Sequence, residues 1–325
     1  MNVEQLYDLY TNNIQSILTS SMLGTIADRS YDIHGYNLIN RLLIYIQNKY
    51  TTSLKSETGW EIAGRSVKIK ASPIWVMDNV IKTEYLDPET NDVIENMGLS
   101  PKEIDEAVKY GTIIKLKTIE GLKCLPVYNI KDTVIFDSMQ YKRFMRNERK
   151  LIKLSSLFSI TSAEFGVEYQ KGLGKSYFDI AKNHIFIGND GFQDKIKAMS
   201  DGVFHSLGLY DVVDDFVEEH SIDRDRLYRI LEICRIFLRE SLLSFCDPEY
   251  TVESSTFKDI DDLDISESAE VECFIQLLSS IYDIVEECIC RLNPDNHNIS
   301  ESTLRKAAEL LAILEANDAI MQFRR

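Results

Sequence analysis

The feature that most constrains this chain is a change of hydrophobic period inside one stretch, His34 to Met77, HGYNLINRLLIYIQNKYTTSLKSETGWEIAGRSVKIKASPIWVM. Ile39, Leu42, Leu43 and Ile46 recur at i, i+3, i+4 and i+7, the spacing of one helical face. That face has to be buried; Asn40, Arg41 and Gln47 fall on the other side. Thr51, Thr52, Ser53 and Gly59 then end the pattern before Trp60. From Arg65 the period drops to two, with Val67 and Ile69 set against Arg65, Lys68 and Lys70, which predicts a strand carrying basic beside apolar residues. Helix, aromatic, basic strand is an α+β order.

The same stretch gathers rings (Tyr36, Tyr45, Tyr50, Trp60, Trp75) and cations (Arg41, Lys49, Lys55, Arg65, Lys68, Lys70). Single-stranded nucleic acid is held by cations on its phosphates and flat side chains under its unstacked bases. Packing competes with that reading: Trp60 and Trp75 are the chain's two tryptophans, and large rings are the usual filling of a core.

The segment resembles the N-terminal domain of ArdC-type antirestriction proteins, a family of plasmids, phages and conjugative elements. Its pattern H-x-Y-S-x-x-N-x-L-L-I-x-x-Q followed by W-x-x-x-G-R-x-V-K is met by His34, Tyr36, Asn40, Leu42, Leu43, Ile44, Gln47, Trp60, Gly64, Arg65, Val67 and Lys68. Pro126 to Thr133 looks like a drifted form of the family's V-F-D-V-S-Q-T strand. The family's basic hairpin continues K-G-E-K-G-I, whereas this chain has Ile69-Lys70-Ala71-Ser72-Pro73-Ile74, a shorter and less cationic turn. The resemblance spans roughly residues 1–140. It implies single-stranded DNA as partner, with Tyr36, Asn40, Arg41, Trp60, Arg65, Lys68 and Lys70 as the contacting set.

Charge is divided along the chain. Residues 1–150 hold 19 Lys and Arg against 19 Asp and Glu, and residues 151–325 hold 17 against 33, so the whole net charge of −16 lies in the second part. A polyanion is therefore expected on the first part and repelled by the second. No apolar run is long enough to span a bilayer and the N-terminus lacks a signal-peptide layout, so a cytoplasmic protein without a membrane partner is expected. Six scattered cysteines form no C-x-x-C pair and read as reduced, buried thiols.

The length of 325 residues divides into an N-terminal helix and antiparallel-strand domain over 1–150, a mostly helical domain with a small hairpin over 151–250, and an acidic linker with two closing helices over 251–325. Residues 2–24 predict one helix. Lys82 to Glu95 reads as a polar tip, Ser100-Pro101-Lys102-Glu103 as a capping box opening a helix, and Thr112–Thr118 and Cys124–Asn129 as separate strands. Helices are expected over Ser155–Phe165, Gln193–Leu209, Ser221–Phe245, 270–292 and 300–322, with a hairpin over Ser176–Ile187 and an exposed linker over 247–269.

In the ArdC family the second domain resembles a zinc metallopeptidase, with H-E-x-x-H on a helix after a hairpin and a glutamate on a later helix. Zinc chemistry needs both histidines on one helix face and a carboxylate to deprotonate the bound water. Here the five positions are His205, Ser206, Leu207, Gly208 and Leu209, and the later glutamate is Glu240. Ser206 is no base at neutral pH and Leu209 no ligand, so His205 and Glu240 are vestigial, and neither catalytic residues, metal nor cofactor is expected. Gly172-Leu173-Gly174-Lys175-Ser176 misses the phosphate-loop spacing because Tyr169 stands where the first glycine belongs.

The resulting expectation is a non-catalytic, single-stranded-DNA-binding, antirestriction-like protein of a phage or mobile element, with an inactivated peptidase domain. The alternative is an acidic protein-interaction module whose C-terminal half occupies a basic surface on a host defence or nucleic-acid enzyme.

Overall fold

Two side-chain caps divide the N-terminal pattern where one helix is predicted. Asn2 and Gln5 form a reciprocal capping box that opens α1 (Val3–Ile17), and Thr19 accepts from the Met22 amide to open α2 (Ser20–Ala27). In this computed structural model residues 1–292 are described apart from 29–35, 95–97, 147–153, 173, 212, 214–216, 218–221, 248, 264 and 266–267. His34, His220, the acidic pairs at 214–215 and 218–219, and the helix expected over 300–322 lie outside the described residues. After α3 (Leu38–Gln47) come β1 (Leu54–Lys55), α4 (Glu57–Ile62), β2 (Arg65–Val67), β3 (Ile74–Leu86), α5 (Pro101–Lys109), β4 (Ile114–Asn129), β5 (Thr133–Ile135) and α6 (Ser138–Arg146).

The polar interval predicted at Lys82 does not end the strand. β3 runs on to Leu86, and β4 is one strand through Glu120-Gly121, where the register slips by one residue opposite Val80 and Ile81. The bulge lets the ladder continue past a glycine that would otherwise read as a break. β1, β4 and β3 form a three-stranded antiparallel sheet, and its outer half is a two-stranded ribbon exposed on both faces. The predicted capping box is present at the ribbon's end, where Ser100 and Glu103 open α5. β2 pairs with β5 in a second small sheet, in the register Arg65↔Ile135 to Val67↔Thr133.

The remaining described elements are α7 (Leu154–Phe165), β6 (Glu168–Lys171), β7 (Tyr177–Asp179), β8 (His184–Ile187), α8 (Phe192–Ser206), α9 (Arg224–Cys246), α10 (Lys258–Asp261) and α11 (Ser268–Leu292). β7 and β8 form the predicted hairpin, and β6 joins β8 in parallel. The expected acidic linker is packed instead: Phe257, Ile260 and Leu263 are buried at intervals of three beneath a polar outer face. Nor does residue 150 separate two cores. Met22, Leu23, Ile26, Leu38 and Leu42 belong to the same buried cluster as Phe204, Phe237, Phe257 and Tyr282. Polar contacts repeat the connection, from the Ser20 amide to Asp261 Oδ1 at 2.8 Å and from Ser244 Oγ to Asp28 Oδ1 at 3.1 Å. Four of the described cysteines are buried free thiols and Cys124 is half-buried. Among the described residues no helix is long and apolar enough to cross a membrane.

Candidate functional site

Helix α3 faces the open edge of β3, whose outward backbone groups need partners once they approach the core. Asn40 supplies one pair, donating to the Met77 carbonyl and accepting from the Met77 amide at 2.8 Å each. Gln47, two turns on, does the same for Trp75 at 2.8 and 2.9 Å. Two side-chain amides thus stand in for a missing strand. Asn40 is buried with both polar ends engaged, so its predicted role at a nucleic-acid surface gives way to a structural one.

Three other members of the expected set are also drawn inward. Arg41 is buried, and its guanidinium donates to the Ile26 carbonyl at 3.1 Å, where a cation meets the negative end of α2. Trp60 is fully buried; its indole N–H donates to the Tyr128 carbonyl at 2.8 Å, and the ring offers no face to a base. Tyr36 packs half-buried on the small cluster of Ile44, Leu54, Ile74, Val76 and Val127.

Arg65, Lys68 and Lys70 follow a different course because β2 lies at the surface. Gly64 precedes them at φ +76°, and its carbonyl accepts from the Phe136 and Asp137 amides at 3.0 and 3.1 Å. A Cβ on Gly64 would lie 2.5 Å from the Asp137 carbonyl oxygen, so both φ and close approach require glycine. This junction sets Arg65 over the Tyr141 ring of α6 at 4.8 Å, while its Nε donates to Thr133 Oγ1 at 2.6 Å. At the other end of β2, Lys68 and Lys70 are exposed, and Lys68 Nζ reaches the carbonyl of exposed Lys131 at 2.6 Å. Exposed Phe136 and Lys142 complete the neighbourhood in sequence beside Tyr141. Phe136, Tyr141, Lys131 and Lys142 stand outside the expected set; the basic residues beside Tyr141 in the sequence YKR over 141–143 are a visible signal for Tyr141 and Lys142, whereas Lys131 and Phe136 join the surface only through the pairing of β2 with β5.

The vestigial pair of the second region does not converge. Helices α8 and α9 run antiparallel, with Asp201 meeting Arg235 and Tyr210 stacking on Tyr228 at 6.4 Å. His205 lies one turn beyond Asp201 and Glu240 lies five residues beyond Arg235 in the opposite direction, a separation of roughly 13 Å along the pair at ~1.5 Å per residue. His205 sits between the rings of Phe178 and Tyr210, at 5.3 and 6.3 Å. Glu240 is buried, bonded to Tyr250 Oη at 2.5 Å and Arg239 Nε at 3.0 Å.

What faces Asp201 is a second carboxylate on α9. Arg235 bonds Glu232 through Nε at 2.9 Å and again through a terminal nitrogen, and its other terminal nitrogen bonds Asp201. This hydrogen bonding holds the Glu232 carboxyl below its ordinary pKa. Burial pushes Asp201 upward, outweighing the attraction of Arg235. Burial and then the charge of Glu232 push the nearby Tyr210 up to about 12. The zinc that the resemblance implies does not fit these residues: among the described residues no group of three or more His, Cys, Asp or Glu is placed to hold a metal, and a guanidinium already lies between the two carboxylates.

No protein-family model matches the chain, and no curated protein matches it. Among solved structures, it is similar to the antirestriction protein ArdC of plasmid R388. The metal-free ArdC structure is matched over 90% of this chain and 100% of ArdC, with 12% identity and a TM-score of 0.43. For the Mn(II)-bound ArdC structure the shares are 86% and 99%, with 13% identity and a TM-score of 0.35. ArdC is also the family named by the sequence resemblance, but at this distance no ArdC residue is carried onto a position of this chain.

Proposed function

We propose that the chain is a non-catalytic single-stranded-nucleic-acid-binding protein of the antirestriction kind, with its contact surface on β2, β5 and α6. The observation that carries this reading is the company of Arg65. On one short sheet stand a guanidinium over Tyr141, two exposed lysines at the following turn, the neighbouring Lys131, and the exposed ring of Phe136. Lys68, Lys70 and Lys131 would contact phosphates, and Phe136 or the outer face of Tyr141 would stack on a base. This replaces Trp60 and Tyr36 as stacking residues and keeps Arg65, Lys68 and Lys70.

Rings favour a single strand, because bases in a duplex already stack on one another. The acidic second part would direct the strand to this surface by repelling it elsewhere. Fluorescence anisotropy of labelled single- and double-stranded oligonucleotides with the full chain tests the reading. Salt-sensitive preference for the single strand, weakened in Phe136→Ala, is expected. Equal affinity for both forms, or binding unchanged in Lys68→Ala/Lys70→Ala, would overturn it.

A further inference from the structure

His205 admits two positions in an H-E-x-x-H frame. Taken as the second histidine, it makes the five residues Asp201, Gly202, Val203, Phe204 and His205. Asp201 and His205, at i and i+4, then share one face of α8, and Glu232 is the carboxylate opposite them on α9. This frame agrees with the geometry, whereas the frame beginning at His205 sends its partner Glu240 the other way.

The same frame puts Gly202 at the position of the general base. A Cβ there would lie 2.7 Å from Ile185 Cδ1 and 3.1 Å from Phe178 Cδ2, so the hairpin packs directly onto the helix backbone. A side chain there would have to displace Ile185 and Phe178, and glycine itself supplies no carboxylate to act as a base. Asp201 and Glu232 remain as two carboxylates, no base stands at position 202, and a guanidinium joins the carboxylates.

We propose that Arg235 is a built-in cation: its guanidinium holds the place between Asp201 and Glu232 that a divalent transition-metal ion would take, so that arginine and metal exclude one another. Two partly buried carboxylates facing each other across a helix pair repel unless a positive charge lies between them. A metal can be lost at low supply or to a chelator. Arg235 cannot, since its hydrogen bonds to Glu232 and the charges of both carboxylates outweigh burial and keep the guanidinium charged. The exchange turns a metal-dependent joint between α8 and α9 into a permanent one. It is independent of nucleic-acid binding, so either reading can fail alone.

The test is metal uptake by the full chain, read by elemental analysis after gel filtration and by the metal-induced shift in Tm. Wild-type protein incubated with Zn²⁺ or Mn²⁺ is expected to retain no stoichiometric metal and to show no shift. Arg235→Ala is expected to take up about one equivalent. Its Tm should rise by about 5 °C at metal concentrations of ~100 Kd. Adding Asp201→Asn to that variant should abolish both. Stoichiometric metal in the wild type would overturn the proposal, as would a folded Arg235→Ala that takes up none. Should Arg235→Ala not fold alone, recovery of its circular dichroism on adding metal supports the exchange; failure to recover with either ion contradicts it.

Discussion

The surface around β2 and the joint between α8 and α9 both present cations, and they use them in opposite ways. Lys68 and Lys70 stand in solvent at a turn, and Lys68 spends one donor on the Lys131 carbonyl. Arg235 spends its guanidinium on two partly buried carboxylates, which compensate its charge. The comparison teaches that a charged motif residue becomes a contact only where the fold leaves its charge uncompensated. It extends within the first region: Asn40, Arg41 and Trp60 belong to the same sequence motif as Arg65 and Lys68, yet their polar atoms are consumed by Met77, Ile26 and Tyr128.

The strongest way to break that comparison is Trp60→Ala. Deleting a fully buried indole should cost about 3–5 kcal/mol, measured by denaturant unfolding. Unchanged stability with lost oligonucleotide binding would return Trp60 to the contact surface. Next in size is Asn40→Ala, which leaves the Met77 amide and carbonyl without their partner and should cost about 1–3 kcal/mol. A smaller effect would mean that water reaches the β3 edge and that α3 does not seal it. The double variant Lys68→Ala/Lys70→Ala should be different in kind, weakening single-strand binding about tenfold and lowering the salt slope by roughly 1.4, with stability changed by less than ~0.5 kcal/mol. The smallest effect sharpens the other region. Ser241 Oγ is buried beside Glu240 with no partner among the described residues, so Ser241→Ala should be neutral or stabilising by up to ~1 kcal/mol in thermal unfolding.

Much of the local structure was legible. The capping box at Ser100, the hairpin before α8, and helices α7, α8, α9 and α11 follow from caps and apolar periods that act within a few residues. The failures share one cause, which is that partners distant in sequence decide the outcome. The strand break predicted at Glu120-Gly121 is absorbed by a bulge against β3. The acidic segment 247–269 holds few apolar residues, but Phe257, Ile260 and Leu263 recur at three-residue intervals, and that spacing outweighs its charge. In the candidate site, Arg65 and Lys68 were visible as a basic strand, whereas Phe136 and Tyr141 needed the β2–β5 pairing to join them. His205 and Glu240, paired in the sequence by the motif, stand apart because α8 and α9 run antiparallel. That packing, which no local pattern encodes, is also what brings Asp201 of α8 to Arg235 and Glu232 of α9.

The most direct test of the account is a titration of the full chain with a labelled single-stranded oligonucleotide and its duplex, at low and physiological salt. The account expects tighter binding of the single strand, a slope of log K against log salt set by a few lysine–phosphate contacts, and loss of that preference in Phe136→Ala. No binding at low salt, or equal binding of both forms by wild type and Lys68→Ala/Lys70→Ala, would contradict it.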